Sequence, residues 1–307
     1  MIDTFLMDET DLRLCFLLSE NSRTPYRKLA DEVKLSVNAV HTRVQNMIDK
    51  NIVKKFYTKI GLRAFKGISV VSVEGKSKYD NIQELIDRLG NNDNTFKIIS
   101  ASGNYLYVHG LIRDITKMNE YIESVKKEGQ LKDPVIFMPD MKNFSPLEDF
   151  EFSKMDYEII YSMRDDSRKS LSDVADEVGV SSKTVRRRLN RLKENDAVKF
   201  GIELRPTQSS NFISFFELDL KPGYDRKKIM NDMLNEFYPY INSVFLANNV
   251  PNKLAANVWG KTLDDIHNIE DELREEGYFE SIYSRLYYDG KEFDTWRDEF
   301  LKEKVSE

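Results

Sequence analysis

The chain has 307 residues, 40% of them hydrophobic and 32% charged, with 46 Lys and Arg against 52 Asp and Glu. That apolar content can build real cores, which excludes a disordered protein, and no apolar run approaches the roughly 18 residues that span a bilayer. The single cysteine, Cys15, excludes an internal disulfide and a Cys-rich zinc site. The N-terminus MIDTFLMDET lacks the basic-then-apolar order of a signal peptide, so a cytoplasmic protein with no membrane partner is expected.

Three helical stretches are expected in residues 1–60. Asp8 or Thr10 caps the first, whose apolar positions include Leu14, Leu17 and Leu18, with Cys15 as a small core residue beside them. Pro25 starts a second over Tyr26–Val33. Ser36 caps a third, in which Val40, Val44, Met47 and Ile48 recur at helical spacing. Asn51 stands in the turn that follows, where a left-handed residue is favoured, and 52–57 alternates enough for a wing strand. Residues 62–145 change rhythm. A strand at 68–73 precedes Tyr79-Asp80, which opens a helix over 81–89. Strands at 96–101 and Tyr105–Ile112, a helix at 115–128 and a strand at 134–138 complete the order β-α-β-β-α-β, a ferredoxin-like unit. Residues 143–152, with Pro146, read as a linker.

Residues 153–205 repeat the first plan, with Val185, Leu189 and Leu192 inward on the third helix and Asp196 in the turn after it. Residues 207–300 repeat the second: a strand Phe212–Leu220, a helix opened by Tyr224-Asp225, strands at 244–246 and 254–259, a helix at 263–276 and a strand at 281–287. A short terminal helix is expected over 293–300. The expected fold class is therefore α+β, two helix-turn-helix units alternating with two ferredoxin-like units. The copies align at a spacing of 145. Between 11–54 and 156–199, 12 of 44 positions are identical, among them Asp11/Asp156, Ser22/Ser167, Arg23/Arg168, Ser36/Ser181 and Arg43/Arg188. Solenoid repeats run at about 20–50 residues, so this period is a duplication of a two-domain protein.

The pattern in the first copy is Asp11, Leu14, Leu18, Ser22-Arg23, Leu29-Ala30, Val33, Leu35-Ser36, Val40, Arg43, Val44 and Ile52-Val53. In the second it is Asp156, Ile159, Ser167-Arg168, Val174-Ala175, Val178-Gly179-Val180-Ser181, Val185, Arg188, Leu189 and Val198. Each is followed by a β-α-β-β-α-β unit. Both copies resemble the Lrp/AsnC family of prokaryotic transcription regulators, across nearly the whole chain. The resemblance implies a winged helix-turn-helix joined to an effector-binding ferredoxin-like domain, dimers formed through the sheets of the effector domains, often higher homo-oligomers, and amino acids as common ligands near the loop between the second and third strands. A tandem chain looks like a fused dimer.

The second helix of a helix-turn-helix lies in the major groove of double-stranded DNA. With Val40, Val44 and Met47 inward, the first copy turns Asn38, His41, Thr42 and Gln45 outward; the second turns out Lys183, Arg186, Arg187 and Asn190. Arg suits guanine, Asn suits adenine and Lys neutralises phosphate, so the second set is better equipped for DNA. Ser36, Ser181 and Ser182 at the helix starts join the candidate interface. Arg43 and Arg188 neighbour the core face, which leaves helix orientation and DNA contact both open. The net charge of −6 hides this distribution: residues 181–193 carry six cations and no acid, whereas 207–307 carry 12 Lys and Arg against 20 Asp and Glu.

In the first ferredoxin-like unit Ser102, Gly103, Asn104 and Tyr105 resemble the family's Gly-x-Tyr ligand loop, with Leu106 where Asp is usual. An ordinary Gly-Asn hairpin turn explains the same residues. The aligned Pro251, Asn252 and Lys253 lack the glycine and tyrosine. The aromatics Phe212, Phe215, Phe216, Trp259, Tyr283, Tyr287 and Tyr288 suit a packed core or dimer face. Siroheme decarboxylases share this architecture, but the three histidines, His41, His109 and His267, form no catalytic set, and no phosphate-cradling Gly loop or HExxH pattern occurs. The expectation is a DNA-binding regulator, not an enzyme, without cofactor or metal. Its alternatives are a non-DNA-binding oligomerisation partner of other regulators and a siroheme-decarboxylase-like enzyme.

Overall fold

Short polar caps ahead of apolar-spaced runs fix where the helices begin. A computed structural model of the chain describes residues 5–140, 146–147 and 150–307. In the first head, Asp8 and Asp11 form a reciprocal capping box on α1 (Glu9–Glu20), Pro25 precedes α2 (Tyr26–Val33), and Ser36 accepts from the Ala39 amide at the start of α3 (Val37–Asp49). Ser153, Ser170 and Ser181 cap the equivalent α6 (Lys154–Ser162), α7 (Leu171–Val178) and α8 (Ser182–Glu194). Asn51 and Asp196 both take the left-handed conformation, at φ 57° and 51°. Cys15 is fully buried in the first head's core, and burial pushes its thiol up to about 12. The expected linker lies partly outside the described residues, at 141–145 and 148–149.

The strands leaving the two heads, β1 (Val53–Ile60) and β6 (Val198–Leu204), pair with each other in an antiparallel two-stranded ribbon. Each crosses into the other copy's core. Ile202 of the second copy packs in the first head with Leu14, Val40 and Ile52, and Ile60 of the first copy packs in the second head with Ile159, Val185 and Phe200. The wing strand of the sequence reading is therefore an inter-head joint.

The first ferredoxin-like unit consists of β2 (Ser69–Ser77), α4 (Ile82–Leu89), β3 (Thr95–Ala101), β4 (Tyr105–Ile112), α5 (Met118–Glu128) and β5 (Leu131–Phe137). The second consists of β7 (Phe212–Leu220), α9 (Arg226–Glu236), β8 (Ile241–Leu246), β9 (Lys253–Gly260), α10 (Leu263–Glu275) and β10 (Phe279–Glu292). The eight strands form one sheet in the order β5-β2-β4-β3-β10-β7-β9-β8. The outer edges also meet, through a Pro139–Ala247 bridge flanked by Asn248 N–H to Met138 O at 2.6 Å and Asp140 N–H to Leu246 O at 2.9 Å. Each unit's fourth strand thus abuts the other's second. Both joints between the units are made within one chain, which covers sheet edges that would otherwise be free to pair.

Several strands exceed the expected bounds: β1 runs to Ile60 and not 57, β2 to Ser77 and not 73, β5 starts at Leu131 and not 134, and β8 starts at Ile241 and not 244. The last strand runs to Glu292 and not 287, because its second half leaves β7 and pairs with β3 of the other unit. The terminal helix α11 covers Trp296–Ser306 and not 293–300. Thr295 and Asp298 form its capping box, and Phe293 instead packs into the first unit's core.

Candidate DNA interface and the joints behind it

On α3, Val40, Val44 and Met47 are buried, and Asn38, His41, Thr42 and Gln45 are exposed. Gln45 donates to Asp49 at 2.8 Å, and the His41 ring lies 5.1 Å from that of Tyr26. On α8, Val185, Leu189 and Leu192 are buried, and Lys183, Arg186, Arg187, Asn190 and Lys193 are exposed. Ser181 is exposed and Ser182 half-buried; the Ser181 hydroxyl caps the helix by accepting from the Thr184 amide at 3.2 Å.

The structure separates the arginines that the sequence left together. Arg43 donates to Asp8 at 2.8 Å and to Asp11 at 2.9 Å. Its counterpart Arg188 donates to Ser153 at 2.7 Å and to Asp156 at 3.2 Å. Arg191 shares Asp156, also at 3.2 Å, and reaches Glu151 O at 2.8 Å. Asp156 has no exposed side-chain surface. In both copies, then, the repeated Arg orients the third helix against the first. Four cations of the basic run, Lys183, Arg186, Arg187 and Lys193, keep no carboxylate partner among the described residues. Their first-copy equivalents are Asn38, His41, Thr42 and Ile48, none of them a cation. Arg186, Asn190 and Lys193 also line a groove shared with Arg23, Thr24 and Lys28 of the first head.

That groove borders the joint between heads, which the repeated Ser-Arg pair builds. The Ser22 and Ser167 hydroxyls meet at 2.5 Å, fully buried. Arg23 donates to the carbonyls of Ser167 and Lys169, and Arg168 to that of Thr24 at 3.0 Å. The Arg168 guanidinium stacks over Tyr26 at 4.6 Å and Phe56 at 5.2 Å. The sequence reading missed this role. Its signal was the identity of both residues in both copies, since residues at a two-fold joint meet their own equivalents.

In the effector units, Gly103 and Asn104 have φ of 77° and 57°, left-handed residues in the three-residue loop Ser102, Gly103 and Asn104 that closes the hairpin between β3 and β4. The turn is docked. Ser102 N–H donates to Leu286 O at 2.8 Å and the Ser102 hydroxyl accepts from Leu286 N–H at 3.2 Å, so that amide is already engaged by β10. Tyr105 lies under the Arg285 guanidinium, 3.9 Å from the ring centre. Behind it Glu217 receives Arg285 at 2.5 Å and the Tyr107 hydroxyl at 3.3 Å, with Lys253 at 3.8 Å. Glu74 holds the matching register position on β2. It is buried near Glu217, and desolvation followed by Glu217's charge outweighs Lys253 and Arg285 and pushes its carboxyl up to about 8. Among the aromatics, Phe216 is core and Phe215 and Tyr287 pack with Tyr107 at the inter-unit joint. Trp259 meets Phe16 of the first head, and Phe212, Tyr283 and Tyr288 are exposed.

A sequence profile of winged helix-turn-helix DNA-binding domains matches residues 7–54 and 152–199, the two heads. An uncharacterised helix-turn-helix transcriptional regulator of Pyrococcus furiosus is 28% identical over 145 residues, 46% of this chain and 98% of that protein. One such regulator therefore corresponds to half of this chain. The chain is a tandem-duplicated protein with two winged helix-turn-helix heads. The regulator LysM of Sulfurisphaera tokodaii is 40% identical to this chain over 50 residues, 16% of the chain, and the match spans only 36% of LysM. Among solved structures, siroheme decarboxylase NirDL with an iron-uroporphyrin III analogue is 12% identical, covering 97% of this chain and 99% of that one at a TM-score of 0.57. That likeness is one of fold. Among the described residues no helix is long and apolar enough to cross a membrane.

Proposed function

We propose that the chain is a sequence-specific, double-stranded-DNA-binding transcription regulator in which the second head supplies most of the attraction for DNA. The observation that carries this reading is the exposed, unneutralised set Lys183, Arg186, Arg187 and Lys193 on the second helix of a helix-turn-helix, with Asn190 beside it for base reading. The first head offers amide, imidazole and hydroxyl groups, and Asp8 and Asp11 lie in the same surface hollow as Asn38 and Thr42. It contributes position more than charge. Because the heads share a ribbon and exchange core residues, they dock as one rigid pair, and one chain presents what a dimer presents elsewhere. Selection of bound duplexes from a random-sequence pool tests this. A recovered motif with a strong half facing the second head is expected, and recovery of no motif refutes sequence-specific reading and favours an oligomerisation partner.

The fold shared with siroheme decarboxylase raises an enzymatic reading, which the histidines do not support. His41 and His267 are exposed on separate helices. His109 is packed against Phe96, ring centres 5.8 Å apart, and burial, reinforced by Lys97, pushes it down to about 3, which keeps it neutral. Incubation with an iron porphyrin is expected to leave the purified protein colourless.

A further inference from the structure

The polar face of the β1/β6 ribbon looks away from the head cores and toward the sheet of the first effector unit. Between them lies a cavity of about 600 Å³, within the size range of small-molecule sites. Phe96, Val70 and Leu111 of the sheet give it an apolar floor. Its charged lining is lopsided: Lys59, Arg63, Lys97, Lys199 and Arg297 against Asp196 and Glu292. Three of these cations have carboxylate partners. Lys59 pairs with Asp298 at 3.2 Å, Arg63 with Asp196 at 2.9 Å, and Lys97, more loosely, with Glu292 at 3.8 Å. Lys199 and Arg297 pair with no carboxylate within 4.0 Å among the described residues. Lys199 donates to Glu20 O at 2.9 Å. Arg297 makes one long bond to Ile60 O, 3.4 Å, and its buried Nε has no partner.

The carboxylates nearest in effect to Arg297, Asp298 and Glu292, form no ion pair with it within 4.0 Å, and a cation whose Nε is buried without a partner is ordinarily paired or holds a ligand. Here an ammonium and a planar guanidinium come from two different elements, the ribbon and α11. We infer that this cavity binds a small polyanion, carrying carboxylate or phosphate groups, between Arg297 and Lys199 with Lys97 at its rim. Arg297 offers a fork to one anionic group and Lys199 a point charge to another. A DNA backbone does not fit the site, because the cavity lies behind the ribbon whose other face carries Thr58, Ile60 and Phe200 into the head cores. A ligand here touches the joint of both heads and the first effector sheet at once. The inference does not depend on DNA binding.

Calorimetric titration of the full chain with citrate and, separately, with pyrophosphate tests it and distinguishes the two anion chemistries. One of them is expected to bind one-to-one in the micromolar range and to change the fluorescence of Trp296, the neighbour of Arg297 and one of two tryptophans in the chain. Arg297→Gln and Lys199→Gln should each weaken binding by about tenfold or more. Lys221→Gln, remote on the second effector unit, should not. If Arg297→Gln fails to fold, Lys199→Gln and Lys97→Gln at the more accessible positions decide the question. Binding weaker than millimolar for both probes, or unchanged affinity in folded variants, overturns the proposal.

Discussion

Replacing Arg186 and Arg187 together by alanine separates DNA attraction from the stability of the head. Both side chains are exposed at adjacent positions of α8 and have no described carboxylate partner. Once Arg188 and Arg191 are committed to Asp156, four free cations remain on the helix. Each phosphate neutralised in duplex DNA contributes about −0.9 to the slope of log affinity against log salt, so the helix supplies up to about −3.6 and the double variant loses about 1.8 if both residues touch phosphate. If they grip guanine instead, the slope holds and discrimination falls by about 1–3 kcal/mol per contact. Either way folding stability should stay within about 0.5 kcal/mol, because neither side chain is packed or paired. Arg188→Ala is the counterpart. It removes one cation from the fully buried Asp156 carboxylate and leaves Arg191, half-exposed, as its remaining cation beside the Ser153 amide and hydroxyl. That should cost about 1–3 kcal/mol of stability and leave the salt slope alone. Fluorescence anisotropy of a labelled duplex over a salt series, with denaturant melts of each variant, reads both quantities. The reasoning fails if the double variant keeps both its slope and its sequence preference, or if Arg188→Ala flattens the slope in a fully stable protein.

Glu74 makes stability pH-dependent with a definite sign. Its folded carboxyl titrates near 8 against an unfolded value of 4.5, so the native chain holds the extra proton between those values. The contribution is full below 4.5 and is lost at about 1.4 kcal/mol per pH unit as pH rises toward 8. Glu74→Gln should flatten that limb in melts recorded across pH. Ile202→Ala removes a side chain that the second copy inserts into the first head's core. It should cost about 2–5 kcal/mol and lower a single calorimetric transition of both heads; two independently melting heads would contradict the shared core. Gly103→Val places a branched residue at φ 77°. It should cost about 1–2 kcal/mol in denaturant melts, and a neutral outcome would deny the hairpin turn.

The sequence by itself determined the elements and their duplication, because helical spacing, caps and strand alternation are local. Ser36 and Ser181, Asn51 and Asp196, Tyr105–Ile112 and Phe212–Leu220 stand where periodicity and turn chemistry put them. It also determined which side chains leave the third helices, since burial of Val40 or Val185 leaves the opposite face no other direction. Only the tertiary structure decided what those side chains meet. Arg186 and Arg188 are two residues apart and chemically identical, yet one is free and the other is held by a buried carboxylate 32 residues away. The second half of β10, Ser102 at the hairpin and Ile202 in the ribbon find partners roughly 150 to 200 residues distant, and no local pattern encodes a partner that far along the chain. The cavity behind the ribbon is the extreme case. Lys97, Lys199 and Arg297 have no spacing in common, and what gathers them is the packing of β3, the ribbon and α11 around one cavity.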